Sequence, residues 1–268
     1  MPFSSFRLAI SDWRTTRKVV RESIRVRGVS GTFAQIFRQV YYSIRKLSPS
    51  RRRARRVREE ALNASYRDFD MVYGVDTTTP IPIETLATDS DNWLFGNRYE
   101  PIVPREFHDM MHAAGEVAEG RVFIDLGCGK GRALLLASEY PFKRIIGVEF
   151  ASELVRLARE NLLRYRNTRQ VCRDLEVIEA DAATYSFPDD PLVIYLFNPF
   201  GPEVLAPVVE AVRRALHRQP RPVTILYYKP VHDRLWAGVP ELQRVTAFPG
   251  DSRSLSYSIY QSSQPCVG

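Results

Sequence analysis

Beyond Gly120 the chain keeps switching its hydrophobic period, and this constrains its fold more than any other feature. Short apolar runs ("RVFIDL", "RIIGVEF", "LEVIEAD", "PLVIYLFNP", "PVTILYYK") alternate with helix-like stretches ("KGRALLLASEY", "SELVRLARENLLRYR", "PEVLAPVVEAVRRALH"). Strands that are apolar throughout belong in a sheet covered by helices on both faces. The alternation predicts a doubly wound α/β domain with a mostly parallel sheet. The tail departs from this pattern. In "LQRVTAFPGDSRSLSYSIYQ" two strand-like runs flank "PGDS", which predicts an antiparallel hairpin at the end of the sheet.

Two further regions precede this core, giving a division into a basic segment (1–60), a connector, lid and leading helix (61–120), and the core (121–268). The connector is rich in aromatic residues, and Pro80, Pro82, Pro101 and Pro104 forbid long regular helices within it. From Glu106 to Glu119 the pattern is helical, with Gly120 as the expected stop. The basic segment contains helix-like pieces. In "FAQIFRQVYYSIRKL", Phe33, Ile36, Phe37, Val40, Tyr41, Ile44 and Leu47 recur at three- and four-residue steps and make one apolar face.

The net charge of +7 is unevenly placed. Residues 1–58 hold 16 Lys/Arg against only Asp12 and Glu22, a net of +14, so the remainder carries −7. Six arginines fall within residues 51–58. Such a run is either a solvated arm or a contact surface for anionic membrane or nucleic acid. Its Arg-rich, acid-poor composition also suits an organellar transit peptide, although it is long and shows no obvious cleavage signal. No apolar run approaches the roughly 20 residues that span a bilayer. The expected location is therefore cytoplasmic, with peripheral membrane contact through the arm as the variant. Cys128, Cys172 and Cys266 are odd in number and lack ligand-like spacing, which points to a reducing compartment and away from structural zinc. His108, His112, His217 and His232 form no ligand-spaced cluster with carboxylates, so no metal is expected.

The densest cluster of chemistry is "VFIDLGCGKGR". Gly127, Gly129 and Gly131 follow the first strand of the core, at the edge where open parallel sheets bind ligands. Glycines there permit tight turning and close approach of a ligand to the backbone, and the helix that follows offers unpaired N–H groups at its start. Dinucleotide-binding loops look similar, so the glycines alone do not decide the ligand. Three acids sharpen the signal. Asp125 stands two residues before the first glycine, Glu149 ends the second strand in reach of ribose hydroxyls, and Asp181 ends the third in reach of an adenine. For Lys130 and Arg132 the ordinary expectation is exposure in the first helical turn. Cys128 is expected to fill a small loop position. "GKG" lacks the span and trailing Ser/Thr of a phosphate-binding P-loop.

Over roughly residues 98–261 the chain resembles the class I S-adenosylmethionine-dependent methyltransferases. "VFIDLGCGKG" is similar to their first motif, "IIGVEF" to the acidic second and "EADAATY" to the third. The resemblance implies a seven-stranded sheet whose last pair is antiparallel. It implies S-adenosylmethionine as cofactor, with Asp125, Gly127, Gly129, Glu149 and Asp181 in its site. "YGVDTTTPI" and "RYEPIVP" are similar to elements of mostly uncharacterised bacterial methyltransferases that carry a DLGxGKGR-type loop. An aromatic-Glu-Pro element also resembles one found in protein-lysine methyltransferases. By this resemblance Tyr73, Asp76, Thr77 and Tyr99 are expected to fold over the cofactor as a lid; the alternative is that Asp76-Thr77 only caps or turns the chain.

The fourth strand ends in "NPFG", which is similar to the Asn-Pro-Pro-aromatic signature of amino-group methyltransferases. The resemblance implies that the Asn198 side chain and the Pro199 carbonyl accept hydrogen bonds from a target N–H, with Phe200 packing on the substrate. Phe200 replaces the second proline, and Gly201 holds the aromatic position, a departure that weakens the case for a nucleobase acceptor. An Asn-Pro turn without such a role is the plain alternative. The resulting expectation is methyl transfer to a nucleophile, with nitrogen on a protein amino group or small molecule first. The rivals are an NAD-dependent oxidoreductase, and a membrane- or nucleic-acid-binding module with a vestigial methyltransferase core.

Overall fold

A computed structural model describes residues 68–79, 81, 100–198, 200–248 and 256–262. The basic segment, Tyr99, Pro199, Cys266 and the "PGDS" turn lie outside the described residues.

After a helical stretch at 68–73, the elements alternate. They are α1 (Pro104–Ala114), β1 (Val122–Leu126), α2 (Arg132–Ala137), β2 (Arg144–Glu149), α3 (Ser152–Arg164), β3 (Leu175–Glu179) and β4 (Leu192–Phe197). There follow α4 (Pro202–Arg218), β5 (Val223–Tyr228), the short α5 (Arg234–Ala237), β6 (Leu242–Phe248) and β7 (Tyr257–Ser262). The seven strands form one sheet in the order β3-β2-β1-β4-β5-β7-β6. Five pair in parallel; β7 runs antiparallel to both β5 and β6. The expected doubly wound sheet with its closing hairpin is present. The β6–β7 ladder carries a register shift between Arg244 and Thr246.

Alternate residues of each strand feed two cores, as the two-residue strand period requires. Phe123, Ile145, Val193, Tyr195, Leu226 and Ile259 pack on one face with α1, α2 and the 68–73 helix. Ile124, Ile146, Ile194, Ile225 and Tyr260 pack on the other with α4 and α5. The α1 helix presents Phe107, Met110, Met111 and Ala114 to the first core. It stops at Gly115 (φ 80°), five residues before the Gly120 expected from sequence. A glycine in a positive-φ conformation ends a helix wherever it first permits the turn, and here Gly115 comes before Gly120. The helix after the glycine loop is likewise shorter than its apolar pattern, covering only Arg132–Ala137.

Strand order reverses between β1 and β4, so a crevice forms beyond their carboxyl ends. Close packing beneath it depends on Gly147 of β2. A Cβ there would lie 2.7 Å from both Cys128 Sγ and Leu134 Cδ1, and 3.1 Å from Cys128 Cβ. Both neighbours are buried, so a methyl group there forces the packing between the loop and α2 to shift. Gly147→Ala is therefore expected to lower stability by about 1–3 kcal/mol through overpacking, measured by chemical denaturation.

Candidate active site

The glycine loop is made by backbone geometry before any ligand is considered. Gly127, Gly129 and Gly131 adopt φ values of 78°, 54° and 83°, where an L side chain is strained. The N–H groups of Gly127 and Cys128 donate to the Val148 carbonyl at 2.8 and 3.1 Å, which carries the chain from the end of β1 across the end of β2. Glu149 then fixes its crest. One carboxylate oxygen accepts the Gly129 N–H at 2.9 Å; the other accepts those of Phe150 and Ala151 at 3.0 and 3.1 Å. Burial pushes the Glu149 carboxyl upward in pKa, and the three N–H bonds oppose that shift.

A cleft opens at this edge, lined by Gly127, Val148, Glu149, Phe150, Ala180, Asp181, Ala182, Phe200 and Val204. Its walls are mainly apolar, with Glu149 and Asp181 as the acidic groups. Asp181 lies two residues past the end of β3, and one of its carboxylate oxygens accepts the Ala183 N–H at 2.8 Å. The structure thus brings Gly127, Glu149, Asp181 and Phe200 to one cleft. Phe200 is 6% exposed and belongs to the α4-side core as well as the cleft wall. Asp125 is buried in β1 rather than on the lining, and burial together with the Glu149 charge holds its carboxyl well above the usual range.

Behind the loop lies the arrangement that the sequence reading missed. Lys130 and Arg132 are each 1% exposed, which corrects the expectation of solvent-facing side chains. The reason is that the 70–79 segment supplies their partners. Lys130 Nζ reaches Asp76 Oδ2 at 3.1 Å and donates to the Thr79 carbonyl at 2.8 Å. Arg132 donates through Nε to Thr77 Oγ1 at 2.6 Å and through Nη2 to Asp70 Oδ1 at 3.0 Å, with its guanidinium 4.6 Å from the Phe69 ring centroid. Asp70 also accepts the Thr77 N–H and the Thr77 and Thr78 hydroxyls. Asn161 of α3 closes the assembly by bonding the Asp76 N–H and donating to the carbonyls of Asp76 and Lys130.

Of the residues expected to form a lid, Asp76 and Thr77 bond Lys130 and Arg132 of the loop, and Tyr99 lies outside the described residues. Tyr73 packs against Phe69 and Tyr165, at 4.8 and 4.9 Å between ring centroids. Two signals pointed this way in retrospect. Asp70 and Asp76 lie in a short stretch that ends in three threonines, and Asn161 interrupts the apolar stripe formed by Leu154, Val155 and Ala158.

Two residues before Phe200 of the cleft wall, Asn198 follows β4 in a left-handed conformation, φ 39°. Its Oδ1 is 3.5 Å from the Tyr227 hydroxyl. Among the described residues no group of His, Cys, Asp and Glu is arranged to hold a metal ion, and no helix is long and apolar enough to cross a membrane.

The loop and cleft lie in the part of the chain that is similar to known proteins. Residues 123–219 match the family model described as a methyltransferase domain. The match spans β1 through α4, which includes the glycine loop and every residue lining the cleft. Among solved structures the chain is similar to TrmN from Thermus thermophilus, at 18% identity and a TM-score of 0.46 over 60% of this chain and 49% of that one. It is similar to a dimethyladenosine transferase from Plasmodium falciparum, at 17% identity and a TM-score of 0.42 over 63% and 62%. It is also similar to a TehB-like SAM-dependent methyltransferase from Corynebacterium glutamicum, at 14% and 0.43 over 59% and 88%. The aligned region thus spans about half of the first of these and less than two thirds of the second. Likenesses this distant leave the acceptor open.

The cleft residues fit S-adenosylmethionine, the donor expected from the sequence. Apolar walls from Phe150, Ala182 and Val204 suit a heteroaromatic ring, with Asp181 at the edge. A carboxylate has about four lone-pair sites, and Glu149 uses three on backbone N–H groups, leaving one for a hydroxyl. Asp125 and Glu149, both buried near the loop, favour a cationic ligand.

Two expectations follow. With its carboxyl raised in the folded state, Asp125 stays protonated above the pH at which the unfolded chain loses that proton, so its contribution to stability falls as pH rises above the ordinary carboxylate range. Asp125→Asn should therefore be more stable than the parent at pH 7, by about 1 kcal/mol or more, with the gain vanishing towards pH 4 in denaturation curves. Asp70→Asn should cost about 3 kcal/mol, because it leaves the Arg132 guanidinium buried against a neutral partner. Adding Arg132→Met should recover part of that loss, as a double-mutant cycle would measure.

Proposed function

We propose that this chain methylates a nitrogen nucleophile, on a protein amino group or a small amine, by direct displacement from S-adenosylmethionine. The observation that carries the reading is the placement of Asn198. It leaves β4 at φ 39°, beside the cleft wall formed by Phe200. Left-handed backbone is uncommon at non-glycine residues, though asparagine adopts it more readily than most, and such positions cluster at active sites.

The cofactor supplies a methyl group activated on a sulfonium centre. The chain's own residues position and enclose. Gly127 and Gly129 admit the ligand to the backbone, and Glu149 and Asp181 hold its polar edges. Asn198, with the Pro199 carbonyl, accepts hydrogen bonds from the target N–H and aims the nitrogen lone pair. Phe200 gives that end of the cleft an apolar wall. Orientation of this kind accounts for large rate factors without acid–base chemistry. The upstream "YGVDTTTPI" and the "DLGCGKGR" loop support placement among the bacterial methyltransferases that carry both elements, since in this structure the two bind each other.

Asn198→Ala should bind S-adenosylmethionine with near-parental affinity by calorimetry, yet turn over about a hundredfold more slowly. Full activity on the true acceptor would reduce Asn198 to a turn residue.

The basic arm is proposed to contact anionic membrane, ahead of nucleic acid. Its arginine run follows an amphipathic stretch with aromatic residues, and no base-reading motif accompanies it. Truncation of residues 1–58 should abolish flotation with anionic liposomes and spare cofactor binding. Flotation that survives truncation, or a shift of nucleic acid alone, would refute the membrane assignment.

A further inference from the structure

The strands β4 and β5 end side by side, with Phe197 opposite Tyr228. The next residue on each, Asn198 and Lys229, is left-handed, at φ 39° and 49°. Among the described residues these are the only two non-glycine residues in that conformation. The Lys229 backbone is held there from both sides. Its N–H donates to the Ser256 carbonyl at 2.7 Å, and its carbonyl accepts the Val231 N–H at 2.8 Å.

The ammonium group of Lys229 sits in a defined environment. Nζ is 2.9 Å from each carboxylate oxygen of Glu100. It lies 4.7 Å from the Phe197 ring centroid and 5.7 Å from that of Tyr228. The two rings meet nearly at right angles, 81° at 4.6 Å, and the Tyr228 hydroxyl donates to the Glu106 carboxylate, which fixes the ring. A carboxylate combined with two aromatic rings is the chemistry that recognises an alkylammonium. Here a side chain of the protein itself supplies the cation, one residue along the sheet edge from the acceptor-orienting Asn198.

We infer that Glu100, Phe197 and Tyr228 form a binding site for the ammonium form of an alkylamine acceptor, which Lys229 occupies in this structure as a stand-in. The bound ammonium gives a proton to the solvent that reaches this pair, and its freed lone pair then bonds the methyl carbon as the carbon–sulfonium bond breaks. The inference rests on the nitrogen-acceptor reading and narrows it to amines carried on a flexible alkyl chain. The occupant can exchange: the side chains of Lys229 and Glu100 are 40% and 49% exposed, and ion pairs in that setting are weakly held. Lys229 then acts as a gate. It keeps the site filled and the two rings apart from solvent until an incoming ammonium displaces it. Glu100 lies four residues before the start of α1, which gives the approach to that helix a role on the acceptor side of the site.

The test uses the full chain and n-butylammonium as probe, with n-butanol as its neutral counterpart, titrated by ligand-observed NMR. Lys229→Met should bind n-butylammonium at least tenfold more tightly than the parent, while n-butanol binds both equally weakly. The gain should disappear in Lys229→Met/Glu100→Gln. Lys229→Gly, which also relieves the left-handed backbone, should reproduce the gain if the methionine variant folds poorly. An absent gain, an equal gain for n-butanol, or a gain that survives Glu100→Gln would overturn the inference. Calorimetry with S-adenosylmethionine runs alongside. Failure of the parent to bind it would overturn the methyltransferase reading while leaving the ammonium titration readable.

Discussion

Two buried cations organise this molecule. Lys130 and Arg132 leave the glycine loop into the interior, where an unpaired charge is prohibitively costly. They therefore require carboxylates and hydroxyls at fixed positions, and the 70–79 segment provides them. This requirement explains why a stretch some 50 residues upstream is ordered against the loop, and why Asn161 interrupts the apolar face of α3. Packing alone would not demand either feature.

The same pairing sorts charge across the loop. The cations pair with Asp70 and Asp76, while Glu149 and Asp181 line the cleft. Because the neighbouring positive charge is already matched, it does not neutralise the acids at the cleft. A ligand with a fixed positive centre gains from that imbalance, whereas a polyanionic nucleotide would meet repulsion. The arrangement separates this cleft from phosphate-binding glycine loops more firmly than glycine spacing does.

Much of the fold was legible because the governing patterns are local. Apolar runs interleaved with helical periods specified the parallel sheet, and "PGDS" between two runs specified the closing hairpin. The glycines and the acids at successive strand ends placed the cleft. What escaped was set by distant partners. Nothing beside Lys130 or Arg132 in sequence shows that Asp70, Asp76 and Thr77 will cover them, so an exposed first turn was the natural expectation. The end of α1 escaped for a different reason. Gly115 and Gly120 are equally able to stop a helix, and tertiary packing of Phe107, Met110 and Met111 selects the nearer one. The ammonium-like setting of Lys229 joins residues 100, 197, 228 and 229, a juxtaposition created only when β4 and β5 pair.

The register shift in β6 has a consequence for how copies of this protein meet. β6 is the last strand of the sheet, and a regular, flat edge would offer its backbone to any passing strand. The irregularity between Arg244 and Thr246 breaks the even spacing of those groups, and Arg244, drawn towards Asp233, sets a charge beside it. Val245 and Phe248 are half-exposed along this border, so their apolar surface sits beside a backbone that cannot template a continuous ladder. The border is thus protected against edge-to-edge aggregation by its own geometry, with no covering helix required.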